Sequence, residues 1–106
     1  MRSTRETDGW TFVVSGDLDL VTVPQLRFAL AEAFGGPAVD VVVDLTDVDF
    51  FELTALHLFA ETARRLTRTG GGLFLRGLSP FQDRILVTYG LTRLSSGAWG
   101  ERVSLA

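Results

Sequence analysis

The stretch Val39-Asp40-Val41-Val42-Val43-Asp44-Leu45-Thr46-Asp47-Val48-Asp49-Phe50-Phe51-Glu52-Leu53-Thr54-Ala55-Leu56 changes its periodicity partway along. Residues 38–45 are nearly continuous in β-branched side chains, which predicts an interior strand covered on both faces. Past Glu52 the apolar residues recur at helical spacing, and a helix is expected over about 54–69. Leu56, Phe59, Ala60, Ala63 and Leu66 form its inward stripe, while His57, Glu61, Arg64, Arg65 and Arg68 fall on polar faces. A strand that runs through a short loop into a helix is where α/β proteins place recognition or chemistry. The first N–H groups of such a helix are unpaired and point outward.

Working back toward the N-terminus, Gly35-Gly36-Pro37 ends an earlier helix. Thr22-Val23-Pro24-Gln25 opens it as a capping box with proline in the first turn, and Leu26, Leu30, Ala33 and Phe34 give it one buried face. Gly16-Asp17-Leu18-Asp19 breaks the β-rich run Trp10 to Ser15. Asp8-Gly9 is a hairpin signal, and residues 2–7 read as an edge strand. Working forward, Gly70-Gly71-Gly72 is a turn and Leu73 to Arg76 a short strand. Ser79-Pro80-Phe81-Gln82 is a second capping box, opening a helix lined by Phe81, Ile85, Leu86 and Tyr89. Gly90 supplies a left-handed stop on which Leu91 folds back. Ser95 to Gly100 reads as a loop, and Glu101 to Leu105 as a last strand. Strands alternating with helices predict an α/β fold: a mixed, mostly parallel sheet with an N-terminal β-hairpin and helices packed on it.

The 106 residues suit a single domain, 1–106. No apolar run approaches the roughly 20 residues of a membrane span, and no basic-then-apolar leader opens the chain, so a cytoplasmic location without membrane attachment is expected. Cysteine is absent, which excludes disulfides and thiol chemistry. The net charge of −3 and the lack of a basic block argue against nucleic acid as a partner.

Three motifs in order along the chain carry a family resemblance. They are Gly16-Asp17-Leu18-Asp19, the central Asp44-Leu45-Thr46 with Val48, Phe50, Thr54 and Leu56, and Gly90-Leu91-Thr92-Arg93-Leu94. Together they resemble the STAS domain of bacterial anti-sigma-factor antagonists, over nearly the whole chain. The family wording is Asp-Leu-Ser-x-Val-x-Phe-x-Asp-Ser-Ser/Thr-Gly-Leu, and Glu52, Leu53 and Ala55 stand where Asp, Ser and Gly are expected. The resemblance implies a transcription-regulating interaction module that binds an anti-sigma-factor serine kinase or another STAS-containing regulator. It also implies that the residue at position 53 is the phosphoacceptor, and Leu53 has no hydroxyl. The alternative is a ligand-sensing or homodimerising scaffold module, without sigma-factor regulation.

The partner-binding residues expected on this basis are Asp19, Glu52, Leu53, Thr54, Ala55, His57 and Leu58. Thr54 reads as the helix N-cap, because leucine cannot cap; its phosphorylation would need a kinase working one residue out of register. Glu52 reads either as stabilising the helix dipole or as a partner contact. Asp19 reads as a loop cap or as a partner contact. Leu53 and Leu58, off the inward stripe, are expected to form an exposed apolar cluster with at least one of Phe50 and Phe51. His57 and Glu61 lie one helical turn apart, but no third histidine or cysteine ligand completes a zinc set, so a solvated pair is expected. No metal, no cofactor and no catalytic nucleophile–base pair are read from the chain, which is therefore expected not to be an enzyme.

Overall fold

A computed structural model describes residues 2–6, 9–36, 39–88, 90–97 and 100–105. Strand β1 spans Arg2–Glu6 and β2 spans Gly9–Ser15; helix α1 covers Val23–Ala31 and tightens into a 3-10 turn at Glu32–Phe34. Strand β3 follows at Asp40–Asp47, then helix α2 at Leu53–Arg68, strand β4 at Gly72–Arg76 and helix α3 at Pro80–Thr88. Strands β5 (Leu91–Gly97) and β6 (Gly100–Leu105) complete the order. The turn signal at Asp8, the helix-ending Pro37 and the expected helix-lining Tyr89 lie outside the described residues.

The strands form one six-stranded sheet in the order β1-β2-β3-β4-β6-β5. β1 lies antiparallel on the edge of β2, as the hairpin reading expects, and β2, β3 and β4 are mutually parallel. The parallel part stops there. β6 inserts between β4 and β5, antiparallel to both. The sheet is thus mixed, with its parallel pairing concentrated in the centre. Leu91 starts strand β5 and is buried in the same core as Leu86 of α3, and Gly90 takes the left-handed conformation that ends the helix (φ 90°). The loop expected over 95–100 is instead the end of β5 and the start of β6, with Ala98 and Trp99 outside the described residues.

Each crossover of this sheet moves in one direction: β2 to β3, β3 to β4, and β4 past β6 to β5. Right-handed connections therefore put α1, α2 and α3 on the same face. Phe12 and Val14 from β2, Val41, Val43 and Leu45 from β3, and Leu73 and Leu75 from β4 point to that face. There they form one core with Leu26, Leu30, Phe59, Ala63, Leu66 and Leu86 of the helices. Val42 is buried on the opposite face, in register between Thr11 and Phe74. The valine run of β3 marks an interior strand, as expected, and Val42 is buried even on the face away from that core.

The α2 stripe of Leu56, Phe59, Ala63 and Leu66 is buried as expected, and Ala60 is half-buried against it. On α3 the buried positions are Gln82 and Leu86, while Phe81, expected to line the core, is 67% exposed.

Candidate functional site

The C-terminal ends of β2, β3 and β4 project loops to one end of the sheet, and backbone hydrogen bonds stitch the first two together. The Gly16 N–H donates to the Asp47 carbonyl (3.1 Å), the Leu18 N–H to the Phe50 carbonyl (2.9 Å), and the Glu52 N–H to the Leu18 carbonyl (2.8 Å). Leu18 and Phe51 form a parallel bridge, and both side chains are buried. The Asp19 loop and the start of α2 are thus held side by side, although they are far apart in sequence.

Asp19 is committed to its own loop. Its Oδ1 accepts the N–H groups of Val21 (2.9 Å) and Thr22 (3.0 Å). The bonds from Thr22 and then Val21 hold its carboxyl below the usual aspartate pKa. The capping box expected at Thr22 does not form: its side chain makes no cap bond to α1. Its hydroxyl donates to the Asp17 carbonyl (2.7 Å) and accepts the Asp19 N–H (2.9 Å), so the loop takes the group that would have capped the helix.

The start of α2 lies one residue earlier than expected. Glu52 is the N-cap, in an extended conformation (φ −83°, ψ 170°) and without a side-chain cap bond; its carbonyl accepts the Ala55 N–H at 2.9 Å. Leu53 is the first helical residue. Thr54 therefore does not cap: its Oγ1 is buried and has no hydrogen-bond partner.

The apolar side chains here divide. Phe50 is 55% and Leu53 45% exposed, as the exposed-cluster reading expects. Phe51 and Leu58 are buried, and Phe51 meets the Phe59 ring edge-on with centroids 6.2 Å apart. Leu58 and Ala55 thus belong to the core, which corrects their expected place at a partner surface; helix spacing alone did not show the neighbours that cover them. His57 is exposed, and Glu61 pairs with Arg27 of α1 at 3.2 Å, so the two do not form a ligand pair.

The third loop is anchored by contacts the sequence only half revealed. The Ser79–Gln82 capping box forms in both directions, with Ser79 N–H to Gln82 Oε1 at 3.0 Å and Gln82 N–H to Ser79 Oγ at 3.1 Å. Gln82 Nε2 also donates to the buried carbonyl of Val48 (2.9 Å), fastening α3 to the loop that leads into α2. Its burial was not legible, because Asp83 and Arg84 follow it directly and give the segment a polar reading. Beneath the loops, Asp44 accepts the Thr46 N–H (2.9 Å) and hydroxyl (2.6 Å) and the Arg76 Nε (3.2 Å). Burial pushes the Asp44 pKa up, but Thr46 and Arg76 outweigh it, and the net shift is downward. Gly77 (φ 79°) passes so close to Thr46 that a β-carbon there would collide with the Thr46 backbone and hydroxyl.

The buried Thr54 hydroxyl makes no hydrogen bond, and among the described residues no three His, Asp or Glu side chains gather as metal ligands. This end offers a rigid surface of exposed apolar and acidic groups. Among the described residues, no helix is long and apolar enough to cross a membrane.

Comparison with known proteins agrees with this layout. A family model described as "Mlab, STAS domain" matches residues 2–96. The chain is 32% identical over 87 residues to an anti-sigma-B factor antagonist of Staphylococcus epidermidis, covering 82% of this chain and 81% of that protein. It is 32% identical over 81 residues to the Staphylococcus aureus protein of the same name, covering 76% and 75%. Among solved structures, the anti-sigma factor antagonist SpoIIAA in its unphosphorylated form superposes with a TM-score of 0.71 at 20% identity, covering 81% of this chain and 80% of that one. The murine Slc26a9 anion transporter superposes with a TM-score of 0.65 at 15% identity, and only 14% of that chain is covered. These two likenesses concern the fold. With its strand order, its stitched loops and a family match over nearly its whole length, the chain belongs to the STAS-domain family.

Proposed function

We propose that this chain is a non-catalytic, cytoplasmic interaction module that binds an anti-sigma-factor kinase or a related regulator, and that phosphorylation at the helix start does not switch this binding. The observation that carries the reading is the position of Leu53: first residue of α2, 45% exposed, beside the stitched Asp19 loop. The family resemblance puts the phosphoacceptor serine at this position. Leucine supplies no acceptor oxygen, and the neighbouring Thr54 hydroxyl is buried. A phosphate would add nearly two negative charges to this surface, and the chain keeps the surface while lacking the means to add that charge. Asp19, Glu52, Leu53 and His57 are the residues of the expected set whose side chains reach, at least in part, the surface of this end.

The test is to titrate the protein with the anti-sigma-factor kinase of its source organism by calorimetry, before and after incubation with ATP, and to locate phosphate by mass spectrometry. The expected result is one binding event of equal affinity in both cases, with no phosphate on the chain. No binding heat would overturn the partner, and phosphate on Thr54 with loss of affinity would overturn the missing switch.

A further inference from the structure

Much of the apolar surface of this protein stands at the loop end. Leu20 (69% exposed) and Val21 (72%) lie on the first loop, Phe50 (55%) and Leu53 (45%) on the second, and Phe81 (67%) at the start of α3. The bonds already described bring these elements together: Leu18 to Phe50 and Glu52, and Gln82 to Val48. Apolar groups presented from three adjacent loops form a patch of the kind that marks a protein contact.

The charge on the first two loops has one sign. Asp17, Asp47 and Asp49 are exposed on the same two loops, with Glu52 half-exposed beside them. From residue 6 to 26 and from 28 to 63 the chain contains no lysine or arginine. Arg76, at the end of β4, is bonded to Asp44, and Arg84 stands exposed on α3 one turn after Phe81. Exposed cations gather instead toward the far end of α2, at Arg64, Arg65 and Arg68, with the 16-residue helix spanning about 24 Å between the two ends. Apolar groups flanked on the first two loops by carboxylates alone repel acidic partners there and attract basic ones.

We infer that the patch takes a cationic amphipathic segment, in which apolar side chains cover Leu20, Val21, Phe50, Leu53 and Phe81 while arginine or lysine meets Asp17, Asp47 and Asp49. This deepens the proposed function, because it states which chemistry the regulator must present. The carboxylates steer the approach and select the partner, and the apolar groups supply the area that holds it.

The test uses two 18-residue helical peptides with the same leucine face, one with lysine and arginine on its polar face and one with glutamate. Each is titrated into isotope-labelled protein and followed by amide shifts. The cationic peptide should shift residues 17–21, 47–53 and 80–82, and its affinity should fall about tenfold or more in the Asp17→Asn/Asp47→Asn/Asp49→Asn variant. The Phe50→Ser/Leu53→Ser variant should weaken it as well. All five sites are exposed, and unchanged far-UV spectra check that the variants fold. Equal binding of the glutamate peptide, shifts centred on Glu32 and Glu61, or unchanged affinity in the triple variant would each overturn the inference. The kinase reading fails separately: the kinase would not bind, yet the cationic peptide would still dock.

Discussion

Replacing Gln82 with alanine tests how the third loop is tied to the other two. The wild-type side chain is 5% exposed and makes two bonds of unequal worth. Its Oε1 accepts the Ser79 N–H, which lies near solvent and can turn to water at small cost. Its Nε2 serves the Val48 carbonyl, and Val48 is 4% exposed, so that oxygen is left without a partner when the amide goes. An orphaned buried acceptor costs about 1–3 kcal/mol, the lost cap bond adds about 0.5, and alanine's helix propensity returns a few tenths. A net loss of about 1–3 kcal/mol is expected, read by urea denaturation with an unchanged m-value. Gln82→Glu sharpens the test. At neutral pH it keeps an acceptor for Ser79 but aims a carboxylate oxygen at the Val48 carbonyl, so its cost should match or exceed that of alanine. Burial and the facing carbonyl both raise the pKa of the introduced carboxyl. Relative to wild type, the deficit should therefore shrink as pH falls through that raised value, where the protonated group can donate. A loss below about 1 kcal/mol for Gln82→Ala, or a pH-independent deficit for Gln82→Glu, would refute the anchoring role.

The remaining expectations concern the core, the helix start and the strand beneath. Phe59→Ala, at a fully buried ring, should cost about 3–5 kcal/mol in the same assay, and a loss under about 1 would place the helix face wrongly. Thr54→Val removes an unpartnered buried oxygen and should be neutral or stabilising by up to about 1 kcal/mol; a loss larger than that would reveal a partner for the hydroxyl. Leu53→Ser should change stability by less than about 0.5 kcal/mol, since the side chain is half exposed. It should also create a site that the kinase phosphorylates, and phosphate on wild-type Thr54 at a comparable rate would contradict this. Pairing it with Ala55→Gly would confuse the readout, because Ala55 is buried inside the helix and glycine there costs about 1 kcal/mol. The folded-state pKa of Asp44 is lowered, so its contribution is complete above the unfolded value near 3.9 and fades as pH falls through the folded one. Asp44→Asn should accordingly flatten the acid limb of the stability profile, and an unchanged limb would count against it.

Two copies of one motif show what the sequence could and could not disclose. Thr22-Val23-Pro24-Gln25 and Ser79-Pro80-Phe81-Gln82 have the same capping-box pattern, yet only the second forms. The difference is upstream: the Asp17 carbonyl, the Asp19 N–H and the Asp19 carboxylate engage the Thr22 hydroxyl, whereas Gly77 and Leu78 before Ser79 bring no carboxylate to compete. Helices α1 and α2 and strands β2 to β4 were readable because their periodicity is local. The place of β6 was not, because a strand inserted between β4 and β5 is decided by pairing between distant segments. The burial of Leu58 and Ala55 is of the same kind: spacing gave the helix its face, and the loops packed over its start widened that face.

The helix start explains how the fold accommodates leucine at position 53. A serine or threonine there would matter to the architecture if its hydroxyl capped α2, but the N-cap is Glu52, and its side chain makes no cap bond. Order at this end comes from backbone bonds, with the Glu52 N–H on Leu18 and the Ala55 N–H on Glu52, together with the buried pair Leu18 and Phe51. None of these requires a hydroxyl at position 53. The stitched loops can therefore keep their geometry whatever side chain stands there, and the identity of that residue is free to answer to binding. A half-exposed leucine beside an exposed phenylalanine is unfavourable in water and favourable under a partner. On the proposed reading, leucine at position 53 both withholds an acceptor oxygen and offers apolar contact area to a partner.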